Sequence, residues 1–362
     1  MSSRTKLNEI QSVASPSALG YRMPAEWEPH TATWLAWPHE KTDWPGKFAP
    51  IPWVYADIVR HLSQVERVRI LAESPSMKRA ARRMLKSAGA NLSAVDFFTV
   101  PTNRGWIRDF GPIFVRNVKG ETAATNWHFN AWAKYDDWKK DDAVNAKLAP
   151  KLKWKTWSPT YRGRRVVLEG GSIDVNGLGT MLTTEECLLS PEQVRNPGVS
   201  RSELETIFRD YLGVTNVLWL RRGIAGDDTH GHVDDLARFV SPTTVLTVAE
   251  NDPSEANYQS LQENVALLRE MKDQHGRALR VETLPMPAPV CFAGQRLPAS
   301  YANFYIANQL VLVPTFNDSH DAEALTKLAA LFPDRKVVGI ACLDLVLGLG
   351  TLHCMTQQEP AP

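Results

Sequence analysis

Long apolar runs are missing from this sequence. No stretch approaches the ~20 apolar residues that span a bilayer. Residues 1–22, polar and serine-rich, lack the apolar core of a secretion signal. Cysteine is scarce: there are four in 362 residues, Cys187, Cys291, Cys342 and Cys354, and no C-x-x-C pair. That excludes a disulfide framework. An excess of either charge is missing too. The 41 basic side chains face 40 acidic ones, which gives no reason to expect nucleic acid or an anionic membrane as partner. Linkers and low-complexity tracts are absent. The expectation is a cytoplasmic globular protein with reduced thiols, a flexible N-terminus over 1–20 and one domain over 21–362.

What is present is regular. Amphipathic patterns predict helices over Pro50–Gln64, Ser76–Ser87, Lys139–Leu152, Arg201–Leu212, Ser254–Lys272 and His320–Phe332. Ser200 and Ser254 stand where N-caps belong, and Gly213 where a C-cap does. Between them lie short β-rich runs: Ala32–Trp37, Val68–Ala72, Ile113–Val115, Val166–Leu168, Val217–Leu220, Thr244–Val248, Leu310–Val313 and Lys336–Ile340. Strands and helices alternate throughout, which is an α/β pattern. Unusual polar residues also recur. Asp109, Glu169 and His232 follow one another at about 60 residues, and Cys354 comes two such steps later. A period of that length fits a repeat of strands plus one helix, stacked or arranged radially about a centre.

The densest chemistry is Gly226-Asp227-Asp228-Thr229-His230-Gly231-His232-Val233-Asp234-Asp235. Two histidines and four aspartates in ten residues need partners if buried. On a strand, His230, His232 and Asp234 would share one face. They would then hold a divalent metal, or His232 would act as a general acid/base beside a carboxylate that binds a cation. A solvated turn suits Asp227 and Asp228 better than Asp234. Asp109, before Phe110-Gly111-Pro112, is placed at a turn into Ile113–Val115. Glu169 follows Val166-Val167-Leu168, which predicts that it ends a buried strand, where a carboxylate needs a partner. Cys354 follows a glycine-rich stretch that lets backbone approach a ligand closely. A buried structural cysteine is the competing reading.

Seven motifs occur in a fixed order: Met23-Pro24-Ala25-Glu26-Trp27-Glu28-Pro29-His30, Thr33-Trp34-Leu35-Ala36-Trp37-Pro38, Arg108-Asp109-Phe110-Gly111-Pro112, Glu169-Gly170-Gly171, His230-Gly231-His232-Val233-Asp234-Asp235, Ala299-Ser300-Tyr301-Ala302-Asn303-Phe304-Tyr305 and His353-Cys354-Met355-Thr356-Gln357-Gln358. From about residue 20 onward the chain resembles the bacterial peptidyl-arginine deiminase family of guanidine-modifying enzymes, and within it the members that act on agmatine. The resemblance implies a five-bladed, pseudo-symmetric α/β propeller of ββαβ units. It implies Cys354 as nucleophile, His232 as general acid/base, Asp109 and Asp234 on the guanidinium, Glu169 supporting the histidine, and Trp106 flanking the substrate chain. It implies no cofactor and no metal. The partner is a small guanidino compound, and a homo-oligomer is allowed.

The chemistry demands such groups. A guanidinium is planar and always charged, so two carboxylates can fork onto its N–H groups. An ordinary thiol is only a few per cent thiolate at pH 7, so the bound cation and a protonated histidine are needed to favour it. Agmatine carries an ammonium at its far end, for which Asp228 and Asp43 are candidate anchors. Arginine would instead need a cation at the mouth, with Arg104 and Lys134 as candidates. The chain departs from the family at Leu349 and Thr351, where glycine and asparagine are frequent. It also has only Ala133 between Trp132 and Lys134, where a Gly-Gly pair is frequent.

Overall fold

A computed structural model describes residues 14–362. Five of its sheets share one pattern: an antiparallel strand pair, then a helical crossover to a third, parallel strand. The second unit uses Ile113–Asn117, Thr122–Thr125 and Lys155–Trp157. The third uses Asp174–Val175, Thr180–Thr184 and Asn216–Leu220. The fourth uses Ala237–Ser241, Thr244–Ala249 and Arg280–Pro285. The fifth uses Tyr305–Ala307, Leu310–Thr315 and Lys336–Ala341. The first unit is split. His30–Ala36 and Arg67–Ala72 pair in parallel, but the antiparallel partner of His30–Ala36 is the C-terminal strand Gln357–Pro360. The last strand of the chain therefore completes a sheet begun near residue 30, while Tyr21–Arg22 joins the second unit beside Ile113–Asn117.

Local signals explain most elements. Arg201–Leu212 begins at Ser200, which forms a capping box with Glu203, and stops at Gly213 with φ 69°. Its buried residues Leu204, Ile207, Phe208 and Leu212 recur at helical spacing and face the sheet. Leu310–Thr315 is apolar along its length because both its faces are covered: Val311, Leu312 and Val313 are fully buried. Burying each such side chain contributes roughly 1.5–3 kcal/mol.

Three local expectations fail for identifiable reasons. Ser254 caps no helix; its hydroxyl and N–H bind Asp252, and the helix runs over Tyr258–Glu270 after Asn257. Val166–Leu168 forms only a single bridge, His128 to Val167, because the Asn196 side chain takes both backbone groups of Val167. The helix expected over Lys139–Leu152 is interrupted at Ala143. Of the N-terminal segment 1–20, residues 1–13 lie outside the described residues. The remainder packs on the fold, with the Ala14 carbonyl accepting from Trp157 Nε1 at 3.2 Å. Among the described residues no helix is long and apolar enough to cross a membrane.

Candidate active site

The marked residues sit at equivalent places. Asp109 lies in the helical turn Ile107–Phe110, just before the first strand of the second unit. Glu169 precedes the turn Gly170–Ser172 that enters the third unit. His232 and Asp234 flank Val233 at the turn Val233–Asp235 that enters the fourth. Cys354 stands three residues before Gln357–Pro360 of the first. Each entry loop ends in the same interior region, so residues far apart in sequence converge there.

The convergence is close. His232 Nδ1 lies 3.8 Å from Asp109 Oδ1 and 4.0 Å from Asp234 Oδ1, and its Nε2 lies 3.9 Å from Glu169 Oε2. Cys354 Sγ is 3.6 Å from Asp234 Oδ2. All five side chains are buried, with Cys354 and Asp109 bordering a cavity of about 500 Å³ together with Trp106, Trp132 and Tyr135. Asp109 is held by Trp132 Nε1 at 2.9 Å and by the Gly171 N–H at 3.0 Å. The Glu169-Gly170-Gly171 motif has a steric basis. A Cβ at Gly170 would collide with the Arg108 carbonyl, and one at Gly171 would sit 2.5 Å from His232 Nδ1, 2.9 Å from Asp109 Oδ1 and 3.1 Å from Asp234 Oδ2.

Charge is arranged in layers. Burial opposes protonation of His232, but Asp109, Cys187 and Glu169 outweigh it and hold the imidazole well above its ordinary pKa. Burial would raise Glu169, yet Arg195 and His232 bring it down to about 2. Burial, reinforced by Asp234 and Glu169, lifts Asp109 to about 6 against the pull of His232. Asp234 stays below its usual value because His353 and His232 offset its burial. Burial and the carboxylates of Asp234, Asp235 and Asp109 push the Cys354 thiol well up. These surroundings favour the thiol over the thiolate.

Four partners of this centre were not singled out by the sequence reading. Arg195 donates to Glu169 Oε1 at 3.1 Å, with no exposed side-chain area on either residue. His353 places Nδ1 2.6 Å from Asp234 Oδ2 and Nε2 2.8 Å from Glu26 Oε2, so it bridges two carboxylates. Glu26 in turn pairs with Arg108 at 3.2 Å and Arg238 at 2.9 Å. Asn303 contacts Cys354 itself. Glu26, Asn303 and His353 lie inside the quoted motifs, which was the available signal; Arg195 carried none.

One expectation is overturned. His230 does not share a face with His232. The segment is a glycine-containing turn rather than a strand, and His230 adopts φ 65°. Its Nε2 lies 3.0 Å from Ser190 Oγ, and it lines a different cleft with Glu185 and Arg221. A His230–His232–Asp234 metal set is therefore not formed. Among the described residues two other trios bring donor atoms within 4.8 Å of one another: Glu169, Cys187 and His232, and Asp234, Asp235 and Cys354. The first is disfavoured for a cation by Arg195 against Glu169. Asp227 is the turn residue it was expected to be, accepting from the backbone of Thr229, Gly231 and His232.

Asp228 borders the cavity, where it receives hydrogen bonds from Lys134 and, at 2.7 Å, from the Tyr135 hydroxyl. Asp43 also borders it, bound by Arg104 and by Trp106 Nε1 at 3.0 Å, and burial lifts its pKa to about 6. Arg104 pairs with Asp137 as well at 3.1 Å. Both cations at the mouth are thus already matched to carboxylates.

A profile of the Porphyromonas-type peptidyl-arginine deiminases matches residues 22–360. The chain belongs to that family. Agmatine deiminase of Pseudomonas aeruginosa (strain LESB58) is 36% identical over 373 residues, covering 96% of this chain and 98% of its own. The solved agmatine deiminase of Enterococcus faecalis superposes with a TM-score of 0.88 at 34% identity, covering 96% of this chain and 98% of that one. A Cys→Ser variant of C. jejuni agmatine deiminase with substrate bound gives a TM-score of 0.83 at 32% identity, over 94% of this chain and 96% of that one.

The departure from the family at Ala133 has a structural counterpart. Ala131, Trp132 and Ala133 take φ of 50°, 58° and 53°, three successive left-handed residues. Such a conformation costs an L-residue roughly 1–2 kcal/mol, and the turn is retained because it delivers Trp132 to Asp109. Ala133→Gly removes one penalty and adds some unfolded-chain entropy. It should raise stability by about 0.5–1 kcal/mol, read as an increase in the urea midpoint. A lowered midpoint would show that the Cβ of Ala133 contributes more than its backbone strain costs.

Proposed function

We propose that this protein hydrolyses agmatine to N-carbamoylputrescine and ammonia through a covalent amidino-cysteine intermediate. The observation that carries the reading is a set of buried polar atoms with no hydrogen-bond partner among the described residues. Asp234 Oδ1 and both nitrogens of His232 are such atoms, grouped beside Asp109 and the Cys354 sulfur. Buried polar groups are rarely left unmatched, and a guanidinium supplies N–H donors to two carboxylates at once. The family membership and the agmatine deiminases among its relatives support the same substrate.

In this mechanism the substrate cation settles between Asp109 and Asp234. It cancels the carboxylate charge that holds Cys354 protonated, and the thiol proton is lost to solvent. The thiolate attacks the guanidinium carbon and a C–S bond forms. His232 gives its proton to a departing nitrogen, the C–N bond breaks and ammonia leaves. The neutral imidazole then takes a proton from water as its oxygen bonds to the same carbon. The C–S bond breaks to release the thiolate, the hydroxyl proton of the adduct passes to solvent, and the neutral urea product leaves. Glu169, fixed by Arg195, keeps the imidazole oriented and basic. Trp106 flanks the methylene chain. At the mouth the three carboxylates of Asp228, Asp43 and Asp137 face the two cations Lys134 and Arg104, a balance that suits an ammonium better than a carboxylate. We further propose that the five units form a closed propeller acting as one catalytic domain, with the entry loops at its axis.

Incubation with agmatine, free arginine and an arginyl peptide tests the substrate. Preferred release of citrulline would replace this reading with an arginine deiminase, and agmatine binding without ammonia would replace it with a binding protein. Exhaustive chelation should leave turnover unchanged, whereas a metal-dependent hydrolase would stop. Asp109→Asn should lower kcat/KM by about 10²–10³-fold, as expected when a charge-assisted contact to the reacting group is lost. In the wild type, Asp109 must be ionised to hold the cation. Because its pKa is raised, kcat/KM should fall as pH drops through about 6, and this acid limb should vanish in Asp109→Asn. An unchanged limb would place the clamp elsewhere.

A further inference from the structure

Four entry loops carry Asp109, Glu169, His232 and Cys354; the fifth, ahead of Tyr305–Ala307, carries Asn303. It occupies the skipped step between His232 and Cys354. Its side chain is fully buried, and its carboxamide is used completely. Oδ1 accepts from Thr351 Oγ1 at 2.8 Å, from the His353 N–H at 2.9 Å and from the Cys354 N–H at 3.4 Å. Nδ2 donates to Asp235 Oδ1 at 2.9 Å and to Cys354 Sγ at 3.1 Å. The orientation is set by these partners. Turned over, the amide would point its oxygen at the Asp235 carboxylate and its NH₂ at two backbone N–H groups. The sulfur therefore faces an N–H donor.

The other groups around that sulfur oppose its ionisation. Asp234, Asp235 and Asp109 are acidic, and Asp234 Oδ2 lies 3.6 Å from the sulfur. The ring of His353 is turned to Asp234 and Glu26, and that of His232 to Asp109, Asp234 and Glu169. Sulfur accepts weakly as a thiol and much better as a thiolate, because the bond is then charge-assisted. We propose that Asn303 is a further catalytic residue, whose Nδ2 hydrogen bond stabilises the Cys354 thiolate while its Oδ1 holds the loop that carries it. The proposal deepens the nucleophile assignment for Cys354 and rests on it.

The test is alkylation of Cys354 by iodoacetamide between pH 7 and 11 without agmatine, followed by peptide mass spectrometry, in wild type, Asn303→Asp and Asn303→Ala. The alanine removes the donor without adding charge and so decides the question; the aspartate keeps the acceptor for the loop but replaces the donor with a further carboxylate, which should raise the midpoint more. In both variants the alkylation midpoint should rise by about one pH unit or more, equivalent to about a tenfold smaller thiolate fraction. Steady-state assays should show kcat down about tenfold or more with KM changed less than about threefold. A loop merely displaced would alter the limiting alkylation rate and KM, and leave the midpoint in place. Midpoints equal to wild type in the variants that fold would overturn the proposal. Alkylation is read without turnover, so a shifted midpoint in an enzyme that releases no ammonia would refute the agmatine reading and leave this one standing.

Discussion

Cys354→Ser should lose ammonia release by about 10⁴-fold or more and still bind agmatine. The loss follows from the surroundings of the sulfur. Asp234 Oδ2 lies 3.6 Å away, and burial with three carboxylates already drives the thiol pKa up. Only a group as acidic as a thiol can be ionised there by the arrival of one substrate cation. A serine hydroxyl, far less acidic, stays protonated and is a poor nucleophile for a carbon whose charge three nitrogens share. Binding should survive because the clamp is elsewhere: Asp109 is fixed by Trp132 and Gly171, and Asp234 by His353. Calorimetry with agmatine should give a dissociation constant within about tenfold of the wild-type KM. Rapid acid quench and mass spectrometry should detect an amidino adduct on the wild type and none on the variant. Substantial turnover by the serine form would remove Cys354 from the mechanism.

Gly171→Ala should be nearly as damaging, although Gly171 has no side chain to contribute. Its added methyl would stand 2.5 Å from His232 Nδ1 and press on both clamp carboxylates. None of the three can retreat freely, since all are buried, and Asp109 and Asp234 are also held by hydrogen bonds. The expected cost is about 1–3 kcal/mol of stability from overpacking. A displaced histidine and clamp should cost about 10³-fold or more in kcat/KM, since a misplacement of 1 Å alone can cost 10²-fold. Thermal unfolding and steady-state kinetics separate the two effects. Near-normal kinetics with a normal melting point would mean that His232, Asp109 and Asp234 do not converge on the reacting carbon.

How much of this was legible beforehand depended on range. Arg201–Leu212 was readable to the residue because its capping box, apolar face and terminal glycine are all local. Ser254 misled because a serine serves equally well in a turn with Asp252. Val166–Leu168 misled because an amide from Asn196, thirty residues on, took the place of a strand neighbour. In the candidate site, Asp109, Glu169, His232, Asp234 and Cys354 all stand in motifs shared with the family, and the structure brings the five side chains together. His230 was misplaced because strand alternation was assumed where the chain turns at positive φ.

The sequence by itself determined the α/β alternation, the near-60-residue repeat and the residue types that deimination chemistry needs. These are short-range properties, set by side-chain periodicity, capping and the reactivity of individual groups. Only the tertiary structure decided that Gln357–Pro360 closes onto His30–Ala36, that Asn303 reaches the sulfur, and that Arg195 and His353 stabilise the carboxylates of the site. Those pairings join residues tens to hundreds of positions apart. They exist because closing the first sheet with the last strand brings the entry loops to one buried place, where each charge must find its partner among whatever the fold delivers.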